Sequence, residues 1–234
     1  MSTTQVRQPE LAPRARVPRE DNKLRPEDRA AHDWYRFVLS YPAHLVRDYL
    51  ARFGVDARTR VLDPFCGTGT TIVECKKLGV PSVGIEANPM AAFAAQVKTD
   101  WTPDPEELEQ DIRRVAAAAG ERLLAEGFID GEDAPLFRVG RKVRRARVLR
   151  TLPPEAEKLL LANSISPVPL HKTLVLLETI TQHADQRWRR HELLALAKAV
   201  VCDASNLHFG PEVGVGPAKA DAPVVSHWLR EALA

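Results

Sequence analysis

Residues 60–88 read RVLDPFCGTGTTIVECKKLGVPSVGIEAN, and this stretch decides the fold. Arg60-Val61-Leu62 is a short, mainly apolar run that ends at Asp63. Phe65-Cys66-Gly67-Thr68-Gly69-Thr70 is a glycine turn. Ile72, Val73, Cys75, Lys76 and Leu78 suit a helix that Gly79 ends. Val80 to Ile85 reads as a second, buried strand with Glu86 at its carboxyl end. In open α/β sheets ligands bind outside the carboxyl ends of the strands. Asp63, the turn and Glu86 are therefore expected to converge on one crevice.

The composition of that crevice narrows its ligand. Gly67 and Gly69 let the backbone take positive φ and approach a ligand closely. The dinucleotide pattern G-x-G-x-x-G fails, because Ile72 stands where the third glycine belongs. The phosphate loop G-x-x-x-x-G-K-[ST] is also absent. An acidic residue at each strand end suits a ligand with cationic and hydroxyl groups and no phosphate. S-adenosylmethionine fits, since its amino and sulfonium groups are positive and its ribose offers two hydroxyls. Glu86 is placed to accept from that ribose, as the acidic residue does in nucleotide-binding βαβ units.

These residues also carry a resemblance. VLDPFCGTGTT followed by GIEANP resembles motifs I and II of the amino-methyltransferases that act on DNA at adenine N6 or cytosine N4. Tyr41-Pro42-Ala43-His44-Leu45 resembles the segment those enzymes call motif X, a helix start beside the methionine end of the cofactor. The match is specific from about Tyr41 to Pro89. It implies that Tyr41, Pro42, Asp63 and the turn Phe65, Gly67, Thr68, Gly69, Thr70 surround the methionine part of S-adenosylmethionine. It implies further that Glu86 holds the ribose and that Ala87 or Asn88 lies near the adenine. Two alternatives stay open. Similar D-P-x-C-G-T-G-T turns occur in RNA guanine methyltransferases, and a non-catalytic cofactor- or DNA-binding subunit fits the same residues.

Composition sets outer bounds. The 234 residues are 44% hydrophobic and 27% charged, with net charge +2, so bulk charge does not point to nucleic acid. No run of about 18 apolar residues suggests a membrane span, and the N-terminus has no apolar signal core. Cys66, Cys75 and Cys202 are odd in number and lack C-x-x-C spacing, which fits a reducing cytoplasm and no zinc framework. His171, His183 and His191 lack metal-ligand spacing, so no metal is expected.

Outward from the turn, residues 1–29 hold Pro9, Pro13, Pro18 and Pro26 among scattered charges and read as a flexible arm. His32 to Leu39 (HDWYRFVL) is dense in aromatics, which suit packing over the first strands or the cofactor pocket, or a stacking platform for bases. Pro42 starts a helix with Leu45, Val46, Tyr49, Leu50 and Phe53 on one face. Asn88-Pro89 opens another, with Met90, Phe93, Ala94 and Val97 inward. Residues 30–103 thus form a β-α-β-α cofactor unit.

From Asp104 the pattern is helical. Asp104 is an N-cap, with Leu108, Ile112, Val115, Ala119 and Leu123 following at helical spacing up to Gly127. Next comes a basic segment holding Arg138, Arg141, Lys142, Arg144, Arg145, Arg147 and Arg150. Its functional reading is contact with a nucleic-acid backbone, centred on Arg141, Lys142, Arg144 and Arg145; its bland reading is a solvated face. Pro153-Pro154 starts a helix carrying Leu159 to Leu161, and Asn163 to Pro169 is a loop. Leu170, Leu174, Leu177, Thr181, Ala184 and Trp188 predict a long helix, and Leu193 to Leu207 another. That period argues against a strand over Val200 to Asp203. Phe209 to Lys219 reads as a loop, and Asp221 caps a last helix with Val224, Val225, Trp228 and Leu229 inward. The fold class is α/β: a partial Rossmann-like methyltransferase sheet, then a mainly α-helical region over 104–234, either an insertion or a target-recognition unit.

One expected motif is missing. The resembling enzymes rehybridise the target amine with [DNS]-P-P-[YFW], whose polar side chain and proline carbonyl accept from the amine while the aromatic ring stacks on the flipped base. Leu152-Pro153-Pro154-Glu155 has the prolines without the flanking groups, and Ser166-Pro167-Val168-Pro169 lacks the paired prolines. No catalytic residue is assigned. The chain is expected to be the cofactor-binding part of a longer or split enzyme, weakly active or inactive by itself. In the longer enzyme the motif follows on the same chain, and in the split one a downstream-encoded chain supplies it.

Overall fold

The computed structural model describes residues 23–36, 40–130, 148–209 and 212–234. It is mixed α/β, with a small sheet and mostly helices. Helix α1 (Arg29–His32) follows a 3-10 turn at Pro26–Asp28; α2 spans Ala43–Arg52, β1 Val61–Asp63, α3 Thr70–Lys77, β2 Ser82–Gly84 and α4 Pro89–Lys98. Strands β1 and β2 pair in parallel, with Leu62 opposite Val83 and Asp63 opposite Gly84. The elements decided by residues 60–88 therefore form in the order expected, although β2 is shorter than the run Val80–Ile85.

The burial of that sheet differs from expectation. One face is closed: Val61 packs with Val46, Leu50, Cys75 and Val80 between α2, α3 and the sheet. The other is open, with Leu62 61%, Val83 60% and Ile85 56% exposed. A two-residue period sends alternate side chains to opposite faces, so apolar content alone did not reveal that only one face is covered. Helix α2 likewise buries Ala43, His44, Val46 and Leu50, while Tyr49 and Phe53 stack on each other in solvent.

The segment before α2 is tied down by charge. Asp28 and Glu74 both accept from Arg47, Glu74 also accepts from His32 at 2.6 Å and Lys77 at 2.9 Å, and Lys98 Nζ donates to the His32 carbonyl. This lattice holds Ala31 at φ +63, a strained angle for a residue with a Cβ. Tyr35 is buried with Ala94, Val97 and Leu194, and Trp34 packs beside it. These aromatics therefore cover α4 and the helical half, not the strands or the turn. Phe37 and residues 1–22 of the expected arm lie outside the described residues.

The second half is a helical bundle: α5 (Pro105–Ala125), α6 (Pro154–Glu157), α7 (Pro167–His183), α8 (Arg189–Ala199) and α9 (Val224–Ala232). Asp104 caps α5 by accepting from the Glu106 and Glu107 amides, and Ile112, Val115, Ala119 and Leu123 enter the main core. Several boundaries differ from expectation. Helix α6 is one turn, and Leu159 beyond it is 85% exposed. Helix α7 begins at Pro167, ends before Trp188, and buries Val175, Leu176, Thr179 and Ile180, while Leu177 faces solvent. Of the expected set, Ala184 and Trp188 are buried and Leu170 and Leu174 partly so, while Leu177 and Thr181 are exposed.

Helix α8 continues as a π-helical turn over Val200–Ala204, so the Asp203 region is not a strand. The expected loop after it contains an antiparallel hairpin, β3 (Leu207–Phe209) with β4 (Val213–Val215). Asp221 does not cap α9; it bonds Lys172 and the Ala222 amide. The cap comes from Asp130, remote in sequence, which accepts from the Ser226 amide at 3.0 Å.

Candidate cofactor site at the glycine turn

The turn between β1 and α3 is drawn together from three elements. Cys66 N–H donates to the Ile85 carbonyl and Ile85 N–H to that of Asp63, so the turn grows directly out of the strand ladder. Gly67 sits at φ +52 and Gly69 at φ +92. A Cβ on Gly69 would stand 3.0 Å from Ala95 Cβ on α4. Glycine there serves both conformation and the close approach of α4.

Both expected carboxylates serve this turn. Asp63 Oδ1 accepts from the Phe65 amide at 3.1 Å. Glu86 Oε2 accepts from the Gly67 amide at 2.8 Å, and its Oε1 from the Asn88 amide at 2.7 Å. Tyr41 Oη, from the start of α2, donates to Asp63 Oδ2 at 3.1 Å and lies 2.7 Å from Thr71 Oγ1. Pro42 is buried beneath it. Tyr41, Asp63 and Phe65 are thus joined by one set of hydrogen bonds, and Gly67 and Glu86 by another, around one bend. Thr68 and Thr70 are buried within it. Ala87 is exposed beside it, and the Asn88 side chain is committed to capping α4 through the Met90 and Ala91 amides.

The electrostatics are acidic. Burial raises the Cys66 thiol above its ordinary pKa, and the charges of Asp63 and Glu86 raise it further, so it stays protonated and non-nucleophilic. Burial also raises the Tyr41 phenol, keeping it a donor to Asp63. No lysine or arginine stands in residues 61–72. The donor set offers carboxylates and backbone N–H groups, which suits amino, sulfonium and hydroxyl groups and gives no counter-ion for phosphate. Glu86 retains a second lone pair on each oxygen for a hydroxyl donor.

Other sequence candidates lie elsewhere. Arg141, Lys142, Arg144 and Arg145 fall outside the described residues. Arg150, from the same basic run, is engaged by Glu126 at 2.8 Å and by Glu178. Among the described residues no cluster of His, Cys, Asp and Glu could hold a metal ion, and no helix is long and apolar enough to cross a membrane. Sequence reading did not find the Tyr41–Asp63 bond; an aromatic donor preceding a helix packed on α3 was its only signal.

The parallel strand pair thus carries Asp63 and Glu86 on either side of one glycine turn. Residues 18–96 match the family model described as DNA methylase. The chain is 33% identical over 73 residues to the Type II methyltransferase M.BsoBI of Geobacillus stearothermophilus, covering 31% of this chain and 14% of that one. It is 45% identical over 38 residues to M.MjaII of Methanocaldococcus jannaschii, covering 16% and 7%. It is 29% identical over 77 residues to M.AvaI of Nostoc sp., covering 33% and 15%. The matched segment is thus a small part of each relative. No solved structure matches significantly.

Proposed function

We propose that this chain is the cofactor-binding part of an S-adenosylmethionine-dependent methyltransferase acting on an exocyclic base amine of DNA. The observation that carries the reading is the joint service of Asp63 and Glu86 to one glycine turn at the ends of two parallel strands. S-adenosylmethionine, when bound, supplies a methyl group on an electrophilic sulfonium. Asp63, with Tyr41 orienting it, accepts from the amino group of the methionine part. The turn from Phe65 to Thr70 approaches with backbone only. Glu86 accepts from the ribose hydroxyls, and Ala87 and the Asn88 backbone border the base. The strands β1 and β2 belong to a Rossmann-like sheet, and residues 104–234 form an insertion or target-recognition unit.

The residues that rehybridise the target amine come from outside these 234 residues, on a longer form of the chain or on a separate polypeptide, because the 234 residues contain no [DNS]-P-P-[YFW]. The chain alone is weakly active or inactive. Arg141, Lys142, Arg144 and Arg145 meet the DNA backbone, and the enzyme works in the cytoplasm. Calorimetry with S-adenosylmethionine tests the site. Asp63→Ala should weaken binding by about 1.5–3 kcal/mol, the worth of a charge-assisted hydrogen bond. Unchanged affinity in both Asp63→Ala and Glu86→Ala removes the assignment. Transfer of labelled methyl to DNA against transfer RNA separates the DNA reading from its RNA counterpart.

A further inference from the structure

We infer that Arg47 is a positioning residue for the cofactor site: its guanidinium, held between Asp28 and Glu74, sets α2 against α3 at the height that lays the Tyr41 hydroxyl on Asp63. The inference rests on the cofactor reading above and adds a residue that lies outside the glycine turn. Tyr41 Oη donates to Asp63 Oδ2 at 3.1 Å and lies 2.7 Å from Thr71 Oγ1. The Tyr41 side chain is not held in place by burial, since the residue is 44% exposed. Its place comes from α2. Pro42 is the N-cap of that helix and its carbonyl accepts from the Leu45 amide, so Tyr41 travels with the helix start. A slide of roughly half an ångström between α2 and α3 stretches the Tyr41–Asp63 contact past the range of a hydrogen bond.

What opposes that slide is polar. Val46 and Leu50 of α2 meet Cys75 of α3, but the burial of apolar side chains has no direction. Arg47 supplies the direction. Its Nη1 donates to Glu74 Oε2 at 2.7 Å and to Asp28 Oδ1 at 2.7 Å, and its Nη2 donates to Asp28 Oδ2 at 3.0 Å. Such a charge-assisted fork fixes geometry as well as adding energy. Glu74 is a firm anchor for it. The residue is fully buried, and its carboxylate also accepts from His32 at 2.6 Å and Lys77 at 2.9 Å. It stands three residues along α3 from Thr71, and Arg47 stands four residues past the α2 start at Ala43. The two helices are therefore tied twice, by Tyr41–Thr71 beside the crevice and by Arg47–Glu74 about one turn further in. His44 lies between the two ties in sequence and is buried, yet neither of its ring nitrogens is hydrogen-bonded among the described residues, so it adds no third tie.

The test is a double-mutant cycle read by calorimetry with S-adenosylmethionine, using wild type, Tyr41→Phe, Arg47→Met and the double variant, with Arg58→Met as control. Arg58 is an exposed arginine that pairs with Asp56 at 2.9 Å beyond the end of α2. Arg47→Met should raise the Kd by about two- to tenfold, the worth of one hydrogen bond. In the Tyr41→Phe background it should raise the Kd no further, because no hydroxyl is left to misplace. Arg58→Met should leave the Kd unchanged. An arginine that serves the fold alone lowers affinity equally in both backgrounds, or lowers melting and not affinity. Either result overturns the inference, and so does an equal effect of the control. Arg47→Met leaves Asp28 and Glu74 buried without their partner, which is costly. The cycle is therefore repeated with Arg47→Met/Glu74→Gln, which removes the Glu74 charge as well, and the same dependence on the Tyr41 hydroxyl is expected. If the wild type binds no S-adenosylmethionine, the cofactor reading falls, and the seating of Tyr41 is judged from denaturant melts of the same four proteins. Tyr41 and Arg47 bond different partners, so independent losses in the folding constant multiply and overturn the inference. A combined loss smaller than that product upholds it.

Discussion

Glu86 Oε2 accepts the Gly67 amide proton at 2.8 Å, so the acid at the end of β2 is a structural part of the turn that follows β1. Its other oxygen holds the Asn88 amide. The carboxylate proposed to meet a ribose is thereby fixed before any ligand arrives, which lowers the ordering cost of binding. Replacing it removes two backbone partners as well as a ligand contact. Glu86→Ala should lower stability by about 1 kcal/mol, the usual worth of such bonds. Glu86→Gln keeps an acceptor and should recover most of that loss in a denaturant melt, while cofactor affinity stays reduced. Equal stability of wild type and Glu86→Ala contradicts the role in the turn.

Tyr41 reaches Asp63 from another element, and its hydroxyl can be removed alone. Tyr41→Phe deletes the donor to Asp63 Oδ2 and the contact with Thr71. Calorimetry should show S-adenosylmethionine affinity reduced by about 0.5–1.5 kcal/mol, with little change in melting because Tyr41 is partly exposed. A larger fall in stability than in affinity assigns Tyr41 to the fold instead.

The two glycines of the turn should respond differently. Gly67→Ala meets nothing within 4 Å and carries only the strain of φ +52, about 1 kcal/mol. Gly69→Ala adds a contact at 3.0 Å to Ala95 on α4 and needs φ +92, so it should cost about 2–4 kcal/mol. Paired melts of the two variants check the order; equal losses show that α4 yields at no cost.

Glu74 sets an acid limit. Burial alone raises a carboxyl, but here the hydrogen bonds from His32, Lys77 and Arg47 prevail and hold its pKa at about 2, below the ordinary 4.5. A depressed folded value means stability present above about pH 4.5 and lost as pH falls toward 2. Glu74→Gln should flatten stability over that window and lower it at pH 7 by up to about 3 kcal/mol. Unaltered acid unfolding excludes this group as the cause.

Glu192 works in the other direction. It is buried at the α8 start with neither oxygen accepting a hydrogen bond, and burial first, then the neighbouring Asp111, raises its pKa to about 8. Protonated, it donates to Asp111. Its contribution is complete below about pH 4.5 and is lost as pH rises through 8. Glu192→Gln should therefore raise the melting temperature at pH 8 and leave it nearly unchanged at pH 4; a lower melting temperature at pH 8 refutes the assignment.

The legible parts of the fold were local. Asp104 caps α5 and Asn88 caps α4 through amides two and three residues away, and Gly79 and Gly127 end helices at positive φ. Such bonds depend only on neighbouring residues, so their types and spacing announce them. The Asp63 bond to the Phe65 amide at the start of the turn belongs to the same class. The cap of α9 was not legible, because Asp130 reaches it from far along the chain and nothing near Val224 signals that partner. The hairpin after Asn206 was hidden because a glycine- and proline-rich stretch reads as loop whether or not its strands pair.

By itself the sequence determined the glycine turn, the acid at each strand end and the helical spacing beyond Asp104, since each follows from a residue's own conformational preference and its nearest neighbours. Only the tertiary structure decided which side of each element is covered. Leu62, Val83 and Ile85 have the same apolar chemistry as Val61, yet Val61 packs between α2 and α3 while the other three stay more than half exposed. The hydrophobic effect rewards any burial of an apolar side chain without direction, so the packing partner, and not the side chain, settles what is core and what is left for another surface.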